Sequence, residues 1–133
     1  MTQPIIERDD LPIEAIHGMA LFDARQYFEA HEALETAWRE EPGPIRDLYR
    51  GILQVAVGYH HILRGNYIGA RKMFQRSRRW LSLFPDEVAG IDLKQFRADF
   101  AAVEAALQRL GPEHADEIDR ALLRPIPWKS SSR

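Results

Sequence analysis

The chain has 133 residues, with 18 basic against 20 acidic side chains for a net charge of −2, and it has no cysteine. That length suffices for one domain with its own core, and the missing thiols exclude disulfides and thiolate metal centres. Near-neutral charge gives no general pull toward nucleic acid or anionic lipid. The start, Met1-Thr2-Gln3-Pro4 followed by Glu7, Asp9 and Asp10, lacks the basic and apolar regions of a secretory leader. The longest weakly charged run, Gly51 to Leu63, is about two-thirds of the roughly 20 residues that span a bilayer. A cytoplasmic protein without membrane contact is the expectation.

Residues 1–10 read as a polar arm without period. Asp10 then offers a helix cap and Pro12 suits a first turn, with Ile13, Ile16, Ala20 and Leu21 at helical spacing, so a first helix is expected over about 11–24. A second runs from about 26 to 40 and is stopped by Glu41-Pro42-Gly43-Pro44. At about 100° per residue, Tyr27, Phe28, His31, Leu34, Glu35 and Trp38 share one face of it, with Glu32 on the edge. An imidazole and a carboxylate thus fall inside an apolar stripe, and a buried charge needs a partner.

The segment 44–64 is the most apolar and is expected to be central, with Asp47, Arg50, Gln54 and His61 as its polar strip and His60 on the apolar side. Gly51 and Gly58, two turns apart, suggest close approach by another backbone. Gly65 suits a left-handed helix end and Asn66 a cap, leading to a fourth helix over 67–84 that buries Ala70, Met73, Phe74, Ser77, Trp80, Leu81 and Phe84. Its outward side, Arg71, Lys72, Arg76, Arg78 and Arg79, is a basic face, read as solvated or paired with Glu29, Glu32, Glu40 and Glu41. A fifth helix runs from a cap at Asp92 to about Leu110, a short sixth over 113–122, and 124–133 form an extended Pro, Trp and Ser tail whose Trp128 covers either a core seam or a partner.

Tyr27, Ala30 and Leu34 match Tyr67, Ala70 and Phe74 at an offset of 40 residues. This resembles the helical hairpin of tetratricopeptide repeats, whose period is about 34. The expected fold is all-α: a compact bundle of five to six helices built from antiparallel helical hairpins, locally tetratricopeptide-like.

Phe28-Glu29-Ala30-His31-Glu32, Glu35 and Trp38, then Gly51-Ile52-Leu53-Gln54-Val55-Ala56, His60, Gly65-Asn66 and Gly69-Ala70, together resemble the domain of unknown function 309 family of bacteria and archaea, over about residues 18–93. The resemblance implies a small all-helical domain with His31, Glu32, Glu35, Trp38, Gln54 and His60 at motif positions, and it implies no activity. Arg25 stands where that pattern tends to have glycine, which requires either a looser turn or a strained arginine.

Three readings of the polar cluster follow. In the first it is a structural network, with Glu35 accepting from His31 or His60 while Tyr49, Tyr59 or Trp38 supplies further donors. In the second, His31, Glu35 and His60 hold a divalent metal such as zinc, iron or manganese. Against that, only one helix supplies carboxylates, and His31-Glu32-x-x-Glu35 lacks the second histidine of a metalloprotease helix. In the third, Glu32, Glu35 and His60 serve a ligand pocket or acid-base site. No nucleophile elbow or glycine-rich phosphate loop accompanies them. The primary expectation is an interaction or structural module that meets a protein partner or a second copy of itself. The alternative is a metal- or small-ligand-binding protein or hydrolytic or acid-base enzyme using the same cluster. Nucleic acid is not expected, since no aromatics interleave with the basic face.

Overall fold

A computed structural model describes residues 6–129. Among the described residues there are five α-helices: α1 (Ile13–Asp23), α2 (Tyr27–Glu40), α3 (Arg46–Leu63), α4 (Tyr67–Leu81) and α5 (Leu93–Leu110). Between α4 and α5 lies a two-residue hairpin, β1 (Glu87–Val88) against β2 (Ile91–Asp92), and 3₁₀ turns occupy Arg8–Asp10, Ala115–Glu117 and Arg120–Leu122. The all-α expectation holds, with α1 packed on α2, α2 on α3 and α3 on α4 as successive hairpins.

Both hairpins close in the same way. Gln26 N–H donates to Leu21 O and Arg25 N–H to Phe22 O, each at 2.9 Å. Forty residues on, Asn66 donates to His61 O at 2.8 Å and Gly65 to Ile62 O at 2.9 Å. This closure needs a left-handed residue just past the helix end. Gly65 supplies it at φ 73°, and Arg25 adopts it at φ 62°. The strained arginine, rather than a looser turn, is therefore the outcome. Asn66 then caps α4, its Oδ1 accepting from Gly69 N–H at 2.9 Å.

α3 is the middle layer. Leu48, Tyr49, Ile52, Val55, Ala56, Tyr59 and Ile62 are fully enclosed by α2 on one side and α4 on the other. At Gly51 the Leu81 backbone N, as well as its side chain, comes within 3.5 Å of a Cβ position, whereas Gly58 is approached by a side chain. A Cβ on Gly58 would lie 2.6 Å from the Phe74 ring, one on Gly18 would lie 2.6 Å from Leu34 Cγ, and Leu81 fills the space at Gly51. Six rings join the five helices: Phe22 of α1, Tyr27 of α2, Tyr59 of α3, Phe74 of α4, and Phe96 and Phe100 of α5. Neighbouring centroids lie 5.4–6.0 Å apart, as edge-on, tilted or stacked aromatic pairs do.

The C-terminal third departs most from expectation. Residues 113–122 form two 3₁₀ turns in place of a sixth helix. A ten-residue helix is marginal, and the Asp119 carboxylate takes the Ala121 N–H at 3.0 Å, which competes with helix continuation. The described part of the tail, through Lys129, is paired. Asp92 N–H donates to Pro127 O at 2.8 Å, Lys129 N–H to Gly90 O at 2.7 Å, and Trp128 bridges Ile91. Trp128 covers a seam of its own chain: its indole N–H donates to Asp23 of α1 at 3.2 Å, and Arg8 stacks on its ring. Of the expected loose arm over 1–10, residues 1–5 lie outside the described residues, as does the tail beyond Lys129, while Arg8–Asp10 form a 3₁₀ turn. None of the described helices is long and apolar enough to cross a membrane.

Candidate functional site

α2 buries Tyr27, Ala30, Ala33, Leu34 and Ala37. This stripe is rotated by one residue from the expected face, because the small Ala30, Ala33 and Ala37 let α1 and α3 approach where larger side chains would hold them off. Phe28, His31, Glu35 and Trp38, at helical spacing on the adjacent stripe, therefore form the rim of the α2–α3 seam. Phe28, expected in the core, is 50% exposed.

On this rim His31 Nε2 lies 3.2 Å from Glu35 Oε2, with the two side chains 27% and 30% exposed. The other oxygen of Glu35 accepts from Arg39, one turn further on. The carboxylate thus has His31 on one side and a guanidinium on the other. Arg39 was missed in the sequence, although its i,i+4 spacing from Glu35 was a readable signal. His60 does not join the pair. Its ring faces Phe28 at 5.6 Å, and Phe28 faces His31 at 5.9 Å, so the phenyl ring stands between the two imidazoles. Among the described residues, no three His, Asp or Glu side chains converge as a metal ion requires.

The other expected members are dispersed. Glu32 is exposed on the far side of α2. Tyr59 belongs to the aromatic core, where burial, with Tyr27 and Asp99 nearby, raises its phenol far above the usual range. The donors assigned to Glu35 do not reach it. Among the described residues, the Tyr59 hydroxyl and the Trp38 indole N–H are buried without a hydrogen-bond partner, as are Gln54 Oε1, Tyr27 OH and His31 Nδ1. Burial, reinforced by the nearby Glu41 carboxylate, raises the Tyr49 phenol. His61, beside His60, is pushed down by burial, then by His60 and Arg64.

Trp38 instead packs with cations, Arg46 and Arg50 of α3 lying 4.9 and 5.2 Å from its centroid. The basic face is partly neutralised, though not by α2. Arg78 pairs with Glu104 of α5, and Arg71 Nε lies 3.9 Å from the same carboxylate. Lys72, Arg76 and Arg79 remain exposed. A shallow depression of about 290 Å³ on α4, lined by Tyr67, Ile68, Arg71, Lys72 and Gln75, lies on that face and away from the His31–Glu35 pair.

This rim lies within the stretch that comparison with known proteins picks out. Residues 15–73 match the model of a domain of unknown function, DUF309. The DUF309 match covers α1, α2, α3 and the first half of α4, and so ends earlier than the resemblance over 18–93 implied. Over 58 residues the chain is 43% identical to the uncharacterized protein YpuF of Bacillus subtilis (strain 168). That stretch is 43% of this chain and only 33% of the relative's length. Neither DUF309 nor YpuF carries a named activity. Every motif residue from His31 to Ala70 falls inside the DUF309 match, whereas α5, the β-hairpin and the tail lie outside it.

Proposed function

We propose that this protein is a non-catalytic interaction module, and that its docking face is the α2–α3 rim around Phe28. The observation that carries this reading is the half-exposed Phe28 ring held between His31 and His60 on two packed helices. An aromatic side chain fixed on a rigid scaffold offers a partner apolar area at little further entropic cost. His31, Glu35 and Arg39 supply a polar border, the arrangement of an interface core with its rim. The occupant is a protein segment that presents an apolar side chain to Phe28.

The test is an affinity capture with the wild type and with Phe28→Ala. A partner held by the first and released by the second supports the reading, with thermal stability changed by no more than about 0.5 kcal/mol, as for other surface positions. Identical captures would overturn it. A second copy of the chain as partner would show as a dimer lost in the same variant.

The competing reading, a metal or small ligand held by His31, Glu35 and His60, is favoured by one feature, the unpartnered Nδ1 of His31. Elemental analysis decides it. Stoichiometric metal that disappears in His31→Ala supports this reading, and a metal-free protein whose melting ignores added zinc, manganese or iron removes it.

A further inference from the structure

Three guanidinium groups and two indoles alternate across the outside of α2, α3 and α4. Arg46 stacks on Trp38 at 4.9 Å, Arg50 lies 5.2 Å from Trp38 and 4.1 Å from Trp80, and Arg79 lies 5.4 Å from Trp80. The order is Arg46, Trp38, Arg50, Trp80, Arg79, drawn from three helices.

What this ladder lacks, among the described residues, is a carboxylate in ion-pair contact. Arg39, Arg71, Arg78, Arg97 and Arg124 each have a carboxylate within 4.0 Å. Among the described residues, Arg46, Arg50 and Arg79 have none within the same distance. Arg46 and Arg50 are one turn apart on one face of α3, a like-charge arrangement that is destabilising on its own. Both are half-buried, and Arg46 Nε is buried with no acceptor. A guanidinium held over an indole ring still carries N–H donors of the planar fork that matches the two oxygens of a carboxylate.

We propose that this ladder is a binding site for an acidic protein segment, whose Asp and Glu carboxylates take the donors of Arg46, Arg50 and Arg79. The cations are spread over two indoles from three helices, with Arg46 over Trp38 and Arg79 over Trp80, so they suit charges spaced along a chain better than a single phosphate. A nucleic-acid strand fits less well. Guanidinium groups already lie over the Trp38 and Trp80 rings, so they compete for the faces on which bases would stack. The inference rests on the reading of the α2–α3 surface as a docking face, and it adds a partner chemistry. Trp38 lies ten residues beyond Phe28 on α2, about 15 Å along the axis. An extended chain covers that span with about four or five residues, so the partner carries its acidic stretch that far from its apolar anchor.

The test uses the full chain and a fluorescently labelled peptide of Glu and Ser without apolar residues. Saturable binding that changes the indole emission is expected, and it should weaken as salt is added. Arg50→Gln and Arg46→Gln should each weaken it about tenfold or more, the loss expected for a charge-assisted hydrogen bond. Arg50→Lys should retain little of that affinity, because charge without the planar fork does not restore the stack. Arg79→Gln, at an exposed position that does not threaten folding, should weaken binding as well. No saturable binding would overturn the proposal. So would equal affinity in all four variants, or tighter binding of a single-stranded RNA oligonucleotide of equal charge. Because the peptide has no apolar group, Phe28→Ala should leave its affinity unchanged. Failure of the peptide while Phe28→Ala still releases a captured partner would remove the ladder and leave the module standing. The opposite pair of results would do the reverse.

Discussion

Arg25 holds a conformation that its side chain disfavours. At φ 62° it stands where the equivalent turn has Gly65, and a left-handed L-residue costs about 1–2 kcal/mol. Glycine is more flexible in the unfolded chain, which returns part of that cost. Arg25→Gly should therefore stabilise the protein by up to about 1 kcal/mol, read as a higher midpoint in urea at unchanged slope. Gly65→Ala is the converse. A Cβ there meets nothing within 4 Å, so its expected loss of about 1 kcal/mol is purely conformational. Buried hydroxyls give a second measurable residue-level effect. Burial, the largest influence, pushes the Tyr27 phenol from 10.0 up to about 12, and Tyr49 and Tyr59 move in the same direction. A raised folded-state value means that these residues contribute fully below pH 10, where both states are neutral. Stability then falls as pH rises from 10 toward 12, because the unfolded phenols ionise first. Phenolate absorbance of these residues should therefore appear together with loss of helicity above pH 10; ionisation within a fully helical protein would contradict their enclosure.

At the scale of elements, the two hairpins repeat each other at an offset of 40 residues more fully than Tyr27, Ala30 and Leu34 alone suggest. Gly18 receives Leu34, Gly58 receives Phe74, and the turn hydrogen bonds coincide. Alanine is a better helix former than glycine by about 1 kcal/mol, yet Gly58→Ala would set a methyl 2.6 Å from a ring that is stacked on Phe100 and cannot retreat. Overpacking of that kind costs about 1–3 kcal/mol, so the net effect should be destabilising; a Tm at or above the wild-type value would refute the packing argument. The five long helices were legible because apolar period, Pro and Gly stops and the Asn66 and Asp92 caps agree with one another. The β-hairpin was not, since two-residue strands have no period and depend on the tail for a third partner. The rim on α2 was half legible. The residues Phe28, His31, Glu35 and Trp38 were found, but placing them inside rather than at the edge followed from giving Phe28 and Trp38 more weight than Ala30, Ala33 and Ala37. Small residues mark the face that neighbours approach, and large ones fill the margins of the seam.

For the whole molecule, the question is what joins the DUF309-matching hairpins to the segment beyond them. α5 does so partly through charge: Arg97 donates to Leu81 O at 2.8 Å and Phe84 O at 2.6 Å, which satisfies carbonyls at the end of α4. The tail does so through one side chain. Asp23, the last residue of α1, accepts from Ile126 N–H at 2.8 Å with one oxygen and from the Trp128 indole at 3.2 Å with the other. Burial pushes this carboxyl up, while its two donors and Arg8 pull it down, so the site holds a charge at some desolvation cost for the sake of both bonds. Asn cannot replace it. An amide keeps one acceptor and turns a donor toward the second donor, which leaves either Ile126 or Trp128 unmatched. A lost bond to a charged acceptor is worth about 1.5–3 kcal/mol, or about 10- to 100-fold in a local opening equilibrium. Asp23→Asn should therefore accelerate hydrogen exchange at Ile126 and Trp128 by that factor and shift Trp128 emission toward that of exposed indole. Amides in the middle of α3 should keep their protection if the tail opens as a unit of its own. Equal acceleration in α3 would show instead that the tail and the hairpins unfold together, and that the strap from Asp23 to Trp128 is part of one cooperative core.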